Sequence, residues 1–316
     1  MAEAVAILNP QAAGGSVRGR WPQYEAALRQ RIPQLQVLWS ERPWHAAELT
    51  QQALERGAEL IIAVGGDGTL HEVVNGFLSH DAPLNPLARL GYVPMGTGGD
   101  FQRTLQAPVE PELAAAYLAN GRVTAIDVGK VRFVGPGDET VLQRYFINLL
   151  SFGMGGDVSV AAKKNIFSKI NGKAAFLWAT LQVFFRYRGK SVDLLFDDGE
   201  TLHDVDITNV AVGNGQYHGG GMHPCPEASL TSGLLDVTII DHLSWFELLR
   251  DLPVLYSDAI YKHPKVHRRQ VRKLVARSAD LTRAEVDGEA AGALPLEITV
   301  LPGVLPMLWP AGRELR

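Results

Sequence analysis

Hydrophobic runs and helical patterns alternate along the first part of the chain. Short apolar runs bounded by turns are typical of buried strands, and apolar residues three or four positions apart are typical of amphipathic helices. The strand-like runs lie at 4–9, 35–39, 58–66 and 88–96, and the helical segments at 21–32, 45–56 and 70–78. Because buried strands separated by helices form parallel sheets covered on both faces, we expect an α/β domain with a parallel sheet over residues 1–125.

The pattern changes after about residue 125, where strands follow one another with few helices between them. Strand-like runs lie at 144–152, 191–196, 204–214, 234–241, 269–278 and 295–301, and helical segments at 157–187 and 244–261. Many strands with few helices indicate a mainly antiparallel sandwich. We therefore predict a β-rich, sandwich-like second domain over residues 126–316, whose last strand can return to the first domain.

Two glycine-rich turns follow strands of the predicted parallel sheet. The segment AVGGDGTLHEVVNGF (63–77) places Asp67 among glycines before a helix, and VPMGTGGDF (93–101) repeats this order with Thr97 and Asp100. Ligands of parallel α/β sheets bind beyond the carboxyl ends of the strands. Glycine at the start of a helix lets the backbone approach a phosphate closely. Together with Asn9, which ends another strand, the two turns predict a phosphate-binding edge.

Asp67 needs its own explanation, because a carboxylate that faces a phosphate repels it. The turn lacks the lysine of a P-loop and the spacing of the dinucleotide fingerprint. Asp67 suits a phosphate site if it binds a magnesium ion that bridges the phosphates, or if it accepts a proton from a hydroxyl nucleophile. The alternative is that Asp67 caps the helix that follows it. Two such turns in one sheet favour the chemical roles.

Composition narrows the class of protein. The chain has 316 residues and a net charge of −4, which gives no reason to expect nucleic acid as a partner. Cys225 is the only cysteine, so an intrachain disulfide and a cysteine-built zinc site are excluded, and we expect a cytoplasmic protein. The longest apolar stretch, 174–185, is shorter than the roughly 20 residues that span a bilayer.

Two basic segments lie in the predicted second domain. Residues 158–192 and 262–277 each contain seven Lys or Arg residues and no acidic residue, and the first also contains several aromatic residues. Neighbouring cationic and aromatic groups suit contact with an anionic membrane surface. The alternatives are a core helix with a solvated basic rim and a basic edge strand that prevents aggregation.

Seven segments together resemble the diacylglycerol kinase catalytic-domain family, which includes bacterial lipid kinases and is related to the sphingosine and ceramide kinases. The segments are LNPQAAGG (8–15), VGGDGTLHEVVNGF (64–77), VPMGTGGDF (93–101), AIDVGKV (125–131), FINLLSFGMGGDV (146–158), GNGQYHGGGMHPCPEASLTSGLLDV (213–237) and EVDGEA (285–290). The Gly-Gly-Asp-Gly-Thr motif alone is shared with NAD kinases and phosphofructokinases, whereas the full set is much more specific and covers nearly the whole chain.

The resemblance implies an N-terminal nucleotide domain, a C-terminal β-rich acceptor domain, ATP as the phosphate donor and Mg²⁺ as the cofactor. The residues that it places along the nucleotide are Asn9, Pro10, Gln11, Ala12, Ala13, Ser40, Gly65, Gly66, Asp67, Gly68, Thr69, Leu70, His71, Glu72, Gly96, Thr97 and Gly98, with Glu41 as the alternative to Ser40. Asp67, Asp100 and Asp127 match the acidic positions of the magnesium–nucleotide centre. Glu289 matches the general base, and Asp67 is its rival for that role.

Two residues depart from the pattern of the family. Relatives carry an asparagine where this chain has Gly99, and where it has Ser232 they carry an aspartate that helps to hold a structural magnesium ion. A neutral hydroxyl is a poor ligand for a hard dication. We therefore expect no structural magnesium ion near residues 230–234.

The resemblance implies transfer of the γ-phosphate of ATP to a hydroxyl of a membrane lipid, with a diacylglycerol-like lipid as the leading acceptor. The expected protein is peripheral to the inner face of the membrane. Three alternatives stay open: a kinase of a sphingoid base or ceramide, a kinase of a soluble alcohol such as NAD, and a catalytically silent nucleotide- or lipid-binding module. A homodimer is also compatible with the sequence.

Overall fold

The chain divides into two compact units. The computed structural model describes residues 3–134, 140–164, 183 and 187–310. The first unit comprises Met1–Val128 and Pro302–Leu315, and the second comprises Gly129–Leu301.

The first unit alternates strands and helices. Its elements are β1 (Ala4–Leu8), α1 (Val17–Arg31), β2 (Leu35–Trp39), α2 (His45–Glu55), β3 (Leu60–Gly65), α3 (Asp67–Phe77), β4 (Leu78–Ser79), β5 (Ala82–Pro83), β6 (Arg89–Pro94), α4 (Asp100–Leu105) and α5 (Pro111–Asn120), with a 3-10 turn at Ala12–Gly15. The sheet order is β2-β1-β3-β6, and all three pairings are parallel. The final strand of the chain, Leu296–Trp309, adds a parallel pairing to β6.

The parallel sheet is buried, as the continuous apolar runs predict. Every residue of β1 and of β3 is buried, and helix α1 packs Tyr24 and Leu28 against the same core as Leu8 and Val64. The prediction of an α/β domain with a parallel sheet is therefore confirmed. Helix α5 was not predicted from the sequence; it begins at Pro111, a residue that suits the first turn of a helix.

The second unit is built mainly from antiparallel strands. The remaining strands of the chain are β7 (Arg122–Val134), β8 (Val141–Phe146), β9 (Leu149–Gly153), β10 (Lys190–Phe196), β11 (Thr201–Gly213), β12 (Leu235–Asp241), β13 (Val266–Val271), β14 (Lys273–Arg277), β15 (Arg283–Val286), β16 (Glu289–Ala293) and β17 (Leu296–Trp309). The long strand β11 pairs with β9, β10 and β12, and an apolar core of the unit includes Val210, Val237 and Leu274. The predicted β-rich, sandwich-like fold is confirmed.

The apolar run at 144–152 forms two strands, so the prediction of one strand was wrong. Between β8 and β9 the backbone N–H groups of Ile147 and Asn148 donate to the carboxylate of Asp287, at 3.1 and 3.0 Å. A side-chain carboxylate thus satisfies amides that a neighbouring strand would otherwise pair.

The run at 269–278 is interrupted in the same way. The N–H group of Arg272 lies between β13 and β14 and donates to both carboxylate oxygens of Asp197, at 3.2 Å each. A single strand was therefore the wrong prediction here too, because an acidic side chain from elsewhere in the chain ends the ladder.

The second unit contains helical residues in both segments where helices were predicted. Helix α6 occupies Met154–Lys164, and most of the remaining predicted helix up to residue 187 lies outside the described residues. The segment at 244–261 begins as α7 (Trp245–Asp251) and continues as 3-10 turns at Leu252–Tyr256 and Asp258–Lys262. Within the part of the chain that the structure describes, no helix has the length and apolar character needed to cross a membrane.

Candidate active site

The carboxyl ends of the parallel strands lie level with one another in the first unit. Leu8 of β1 is opposite Trp39 of β2 and Val64 of β3 in the sheet register. The amide of Ser40 donates to the carbonyl of Leu8 at 2.8 Å, and the amide of Asn9 donates to Val64 at 3.3 Å. The residues that follow each strand are thereby held at one edge of the sheet.

The two glycine-rich turns touch each other through their backbones. A Cβ atom on Gly96 would lie 2.4 Å from the Cα atom of Gly66, closer than real Cβ contacts allow. The amide of Met95 also donates to the carbonyl of Gly65 at 2.8 Å. A Cβ atom on Gly65 would meet the hydroxyl of Thr69 at 2.4 Å. The glycines are therefore required by loop packing, in addition to any contact with a phosphate.

Asp67 joins the two turns through its side chain. Its Oδ2 atom accepts a hydrogen bond from the amide of Asp100 at 3.2 Å, and its Oδ1 atom accepts one from Phe101 at 3.1 Å. These amides belong to the first turn of α4, where a negative charge is favourable. Asp67 thus caps α4, whereas its own helix α3 has no side-chain cap at Gly66. The capping alternative considered from the sequence had assigned Asp67 to α3, the helix that follows it.

A second carboxylate and a guanidinium lie beside Asp67. Asp100 is buried, and its Oδ1 atom lies 3.1 Å from Nη1 of Arg103, which also donates to the carbonyl of Gly98 at 2.8 Å. A Cβ atom built on Gly98 would lie 3.0 Å from Oδ2 of Asp67 and 4.0 Å from Oδ2 of Asp100. The two carboxylates therefore face the same side of the second turn, and oxygen donors of this kind suit Mg²⁺.

The charges of these carboxylates reach the buried phenol of Tyr92. Burial raises the pKa of Tyr92 well above its ordinary value, and Asp67 and Asp100 raise it further. The hydroxyl of Tyr92 lies 3.4 Å from the carbonyl of Gly65 and stays protonated, so that it can donate to that carbonyl. Neither Tyr92 nor Arg103 was singled out from the sequence; the spacing of Arg103 three residues after Asp100 on a predicted helix was the available signal.

Several residues predicted along the nucleotide hold helix α3 in place, and their contact with a nucleotide stays a prediction. Thr69, Leu70 and His71 are buried, and the ring of His71 makes an edge contact with Trp44 at 5.6 Å. The Oε2 atom of Glu72 accepts a hydrogen bond from the amide of Ala46 at 3.1 Å, at the start of α2.

Other predicted residues lie at or near the surface of the strand-end edge, and their contact with a nucleotide stays a prediction. Gln11 and Thr97 are exposed, and the partly exposed group is Asn9, Ala12, Ala13, Gly66, Asp67, Gly68, Gly96 and Gly98. Pro10, Ser40 and Gly65 are buried at the same edge. The Oδ1 atom of Asn9 accepts a hydrogen bond from the amide of Gln11 at 2.9 Å, which shapes the loop after β1.

Asp127 lies on β7 and has a backbone partner. It is 2% exposed, and its Oδ1 atom accepts a hydrogen bond from the amide of Gly303 at 2.8 Å. Over residues 3–134, 140–164, 183 and 187–310, no three His, Cys, Asp or Glu side chains converge as a ready-made metal site. The role of Asp67, Asp100 and Asp127 around a magnesium ion that arrives with the nucleotide therefore stays a prediction.

Glu289 starts the second strand of a tight hairpin in the second unit. The turn residues Asp287 and Gly288 have φ angles of 49° and 85°, as expected for an Asp-Gly turn between twisted strands. The carboxylate of Asp287 accepts hydrogen bonds from three successive amides, the last being Leu149 at 2.9 Å. Glu289 itself is partly exposed. Burial lowers the pKa of nearby Arg144, and the charge of Glu289 opposes that shift.

Comparisons with known proteins agree with this architecture. The model of the diacylglycerol kinase catalytic domain matches residues 3–131, and that of the YegS C-terminal NAD kinase beta sandwich-like domain matches residues 150–309. The chain belongs to the diacylglycerol kinase catalytic-domain family.

Curated relatives span most of the chain. A protein of Pseudomonas putida named "Probable lipid kinase YegS-like" is 31% identical over 86% of this chain and 85% of its own length. The "Diacylglycerol kinase" of Staphylococcus saprophyticus is 30% identical over 81% of this chain and 78% of its own length. A crystal structure of a diacylglycerol kinase from Bacillus anthracis shares 21% identity, with a TM-score of 0.71, and the match covers 98% of this chain and 97% of that chain. At that identity the structural match supports the fold.

Gly99, one of the two departures from the family's pattern, has a conformational explanation. Its φ and ψ angles are 67° and 32°, in the left-handed region, at the residue that precedes α4. Asparagine and glycine are the residues that adopt this conformation most readily. Glycine at position 99 therefore keeps the backbone conformation of the turn but lacks the amide side chain that asparagine has.

Ser232, the other departure, closes its own turn. Its Oγ atom lies 3.1 Å from the carbonyl oxygen of Leu234 and 3.2 Å from that of Ser229, and it accepts a hydrogen bond from the amide of Leu234 at 3.2 Å. Side-chain hydrogen bonds hold the turn at the position where the resemblance implies an aspartate and a structural magnesium ion in relatives.

Replacing Ser232 with aspartate is expected to create magnesium binding near residues 230–234, where we expect none in the natural chain. A carboxylate supplies the charged oxygen ligand that a hard dication prefers. Thermal unfolding without nucleotide, with and without added Mg²⁺, should show stabilisation of Ser232→Asp. The control is Thr231→Asp, which adds the same charge at the neighbouring exposed residue. Saturable stabilisation of the natural chain that Ser232→Ala abolishes would contradict the prediction.

The predicted basic surface at 262–277 is largely paired with acidic side chains. Lys265 lies 2.7 Å from Glu247, and Lys273 lies 3.0 Å from Glu297. Arg268 and Arg269 also make ion pairs with carboxylates. Most of the aromatic residues predicted within 158–192 lie outside the described residues.

Proposed function

We propose that the chain is an ATP-dependent kinase that transfers the γ-phosphate to a hydroxyl of a membrane lipid, with a diacylglycerol-like lipid as the acceptor. The observation that carries this proposal is the pair of glycine turns joined by Asp67 at the strand ends of a parallel sheet, in a chain whose relatives are named diacylglycerol kinase and lipid kinase. The nearest alternatives are a sphingoid base or ceramide, and a soluble alcohol such as NAD.

The phosphates of the nucleotide bind at the start of α3. Backbone N–H groups at Gly66–Gly68 and the positive end of this helix favour a polyphosphate there. Mg²⁺ that arrives with ATP would neutralise charge on the phosphates, and Asp67, Asp100 and Asp127 are the carboxylates that would hold or orient it. Because Asp67 also caps α4, its charge is already directed at the second turn.

Glu289 accepts the proton of the acceptor hydroxyl. The oxygen of the hydroxyl forms a bond to the γ-phosphorus, the bond from that phosphorus to the bridging oxygen breaks, and ADP leaves with the bonding electrons. A carboxylate at the start of a strand after a tight turn is partly exposed and can serve as the general base.

Transfer of labelled phosphate from ATP to a lipid panel in mixed micelles tests the function. The panel contains diacylglycerol, sphingosine and ceramide, and NAD serves as the soluble acceptor. We expect the label on diacylglycerol, and Glu289→Gln purified in parallel controls for contaminating kinases. If NAD alone were labelled, the protein would be a kinase of a soluble acceptor and not a lipid kinase. If the protein bound ATP but labelled no acceptor, it would be a catalytically silent binding module.

Transient contact with the inner face of the membrane is also proposed, through an exposed apolar surface on α7 and the turn after it. We call this surface the α7 patch; it consists of Trp245, Phe246, Leu249, Leu252 and Tyr256, all of them exposed. The rings of Trp245 and Phe246 stack at 3.4 Å, and the side of the helix that holds Leu248 packs on the core. Tryptophan and tyrosine beside aliphatic residues suit the boundary between headgroups and acyl chains.

Replacing Phe246 with glutamate is expected to lower partitioning onto lipid vesicles by about 10-fold or more, since a buried phenylalanine contributes roughly 1.5–3 kcal/mol. Phosphorylation of a short-chain, water-soluble acceptor should change little. Sedimentation with vesicles of mixed anionic and zwitterionic phospholipid measures the partitioning. The matched control is Leu281→Glu, an exposed apolar residue of the same unit outside the α7 patch. Equal partitioning of Phe246→Glu and the natural chain would exclude this surface.

A further inference from the structure

Glu285 is a fully buried carboxylate that the proposed chemistry does not use. It lies on β15 and has no exposed surface. Its Oε1 atom accepts a hydrogen bond from the hydroxyl of Ser151 at 2.8 Å, and its Oε2 atom accepts one from the amide of Gly288 at 2.7 Å. The Nε2 atom of His218 lies 3.3 Å from Oε1.

The amide that Glu285 holds belongs to the turn that presents Glu289. Gly288 immediately precedes Glu289 and has a φ of 85°. The other turn residue, Asp287, is fixed by its side chain to the amides of residues 147–149. Both residues of the turn are thus tied to buried groups, and Glu285 is the tie closest in sequence to Glu289.

His218 connects Glu285 to the glycine-rich segment at 213–222. Its side chain is 14% exposed, and its amide donates to the carbonyl of Met222 at 2.9 Å. Three consecutive glycines, Gly219, Gly220 and Gly221, follow it with positive φ angles. The segment therefore bends sharply at the residue whose imidazole reaches Glu285.

A buried carboxylate is costly for the fold, so its presence needs a reason. Burial raises the pKa of Glu285, and the charge of Asp287 raises it further, whereas His218 and the hydrogen bonds from Ser151 and Gly288 oppose the shift. Asp287 and His218 are the charged or titratable groups that act on it. An apolar residue at such a site often gives equal or greater stability.

We propose that Glu285 is a positioning residue for phosphoryl transfer, which fixes the Gly288 amide and with it the direction in which Glu289 leaves the turn, and that His218 couples the glycine-rich segment to this hairpin. This inference rests on the role of Glu289 as general base that is proposed above. Displacement of a reacting group by about 1 Å can cost about 100-fold in rate, so a single hydrogen bond at this turn is enough to matter.

Two variants of Glu285 separate positioning from charge. Glu285→Ala removes the acceptor of the Gly288 amide, and we expect kcat to fall by about 10-fold or more with KM for ATP within about twofold. Glu285→Gln keeps a carbonyl oxygen for Gly288, and its amide group can donate to Ser151. Glu285→Gln should therefore retain kcat within about threefold. Natural kcat in Glu285→Ala, or a loss in Glu285→Gln as large as in Glu285→Ala, overturns the proposal.

Hydrogen exchange of the segment 283–292 tests the hydrogen bond between Glu285 and the Gly288 amide directly, without a measurement of activity. We expect faster exchange in Glu285→Ala, natural exchange in Glu285→Gln, and an intermediate rate in His218→Phe, which keeps a ring but removes the nitrogen. If Glu285→Ala does not fold, His218→Phe carries the test through the same exchange and a reduced kcat. Natural exchange and natural kcat in His218→Phe overturn the coupling.

The outcomes distinguish this inference from the function on which it rests. If Glu289→Gln keeps full turnover, the proposed base is wrong, while the exchange measurements still decide whether Glu285 holds the hairpin. If Glu289→Gln is inactive and folded Glu285→Ala is fully active, the base is right and the positioning role is overturned.

The pH dependence of stability gives one further readout. Because the pKa of Glu285 is raised in the folded state, its contribution to stability is present below its ordinary value of 4.5 and is lost as the pH rises through the folded-state pKa. Glu285→Gln lacks this titration, so its free energy of unfolding should increase relative to the natural chain as the pH rises. A difference that does not depend on pH would overturn the assignment of Glu285 as a buried ionisable group.

Discussion

Asp67→Asn is expected to lower phosphoryl transfer by about 100-fold or more and to raise the concentration of Mg²⁺ needed for half-maximal turnover. Asparagine lacks the negative charge that a hard cation prefers. Its side chain also has one acceptor oxygen, whereas the two carboxylate oxygens of Asp67 each accept a hydrogen bond from a backbone amide of α4. One of those amides would then face the NH₂ group of asparagine. Turnover across a magnesium series and calorimetric titration with ATP measure the two effects.

Glu55→Gln is the matched control for Asp67→Asn. Glu55 is an exposed acidic residue of α2 in the same unit, and its Oε1 atom accepts a hydrogen bond from Gln51 at 2.9 Å. The substitution removes the same charge as Asp67→Asn. Its turnover should equal that of the natural chain. If Asp67→Asn kept full turnover and an unchanged dependence on Mg²⁺, the role of Asp67 would be limited to capping α4.

Glu289→Gln is expected to cut turnover by about 100-fold or more, because general base catalysis contributes roughly 10²–10⁴-fold to such reactions. Affinity for ATP and Mg²⁺ should stay within about twofold, since Glu289 belongs to the acceptor side of the reaction. Single-turnover transfer to diacylglycerol measures the chemical step, and calorimetry measures nucleotide binding.

The control for Glu289→Gln is Glu297→Gln. Glu297 lies on β17 and pairs with Lys273 at the surface of the same unit, so this variant removes a charge without touching the hairpin. Unchanged turnover in Glu289→Gln, together with a large loss in Asp67→Asn, would move the role of general base to Asp67.

Local periodicity was enough to predict the parallel sheet of the first unit. The apolar run at 4–9 contains the whole of β1, because a buried strand of a parallel sheet is a continuous apolar run bounded by polar turns. The interruptions at Asn148 and Arg272 could not be predicted in this way. The interruption at Asn148 depends on Asp287, and that at Arg272 depends on Asp197. Both aspartates are distant in the sequence, so the apolar run itself does not predict them.

The candidate site was predicted in part for the same reason. The glycine-rich turn drew attention to Asp67, and the resemblance to the family implied the role of Glu289; both residues have turn residues as neighbours in sequence. Asp67 accepts a hydrogen bond from the amide of Asp100, which lies 33 residues away on another helix. The sequence alone gives Glu285 no feature that distinguishes it from other strand residues, and only the structure places His218 and Ser151 beside it. Ionic and hydrogen-bonded partners come together only when the chain folds, so their roles follow from coordinates and not from spacing.

The contact between Gly66 and Gly96 has a consequence for saturation mutagenesis. A Cβ atom on Gly96 would lie 2.4 Å from the Cα atom of Gly66, whereas a Cβ atom on Gly66 would lie 3.2 Å from the Cα atom of Gly96. The opposite residue has no side chain that a second mutation could shorten. A substitution of Gly66 therefore cannot compensate for one of Gly96, and we expect Gly96 to be intolerant of change even in a selection for folding alone. A small side chain at Gly66 requires the neighbouring loop to shift by only a few tenths of an ångström. A functional screen that finds Gly96 invariant would therefore report the contact between the two loops. Loss of variants at Gly96 is not by itself evidence that this residue contacts the nucleotide.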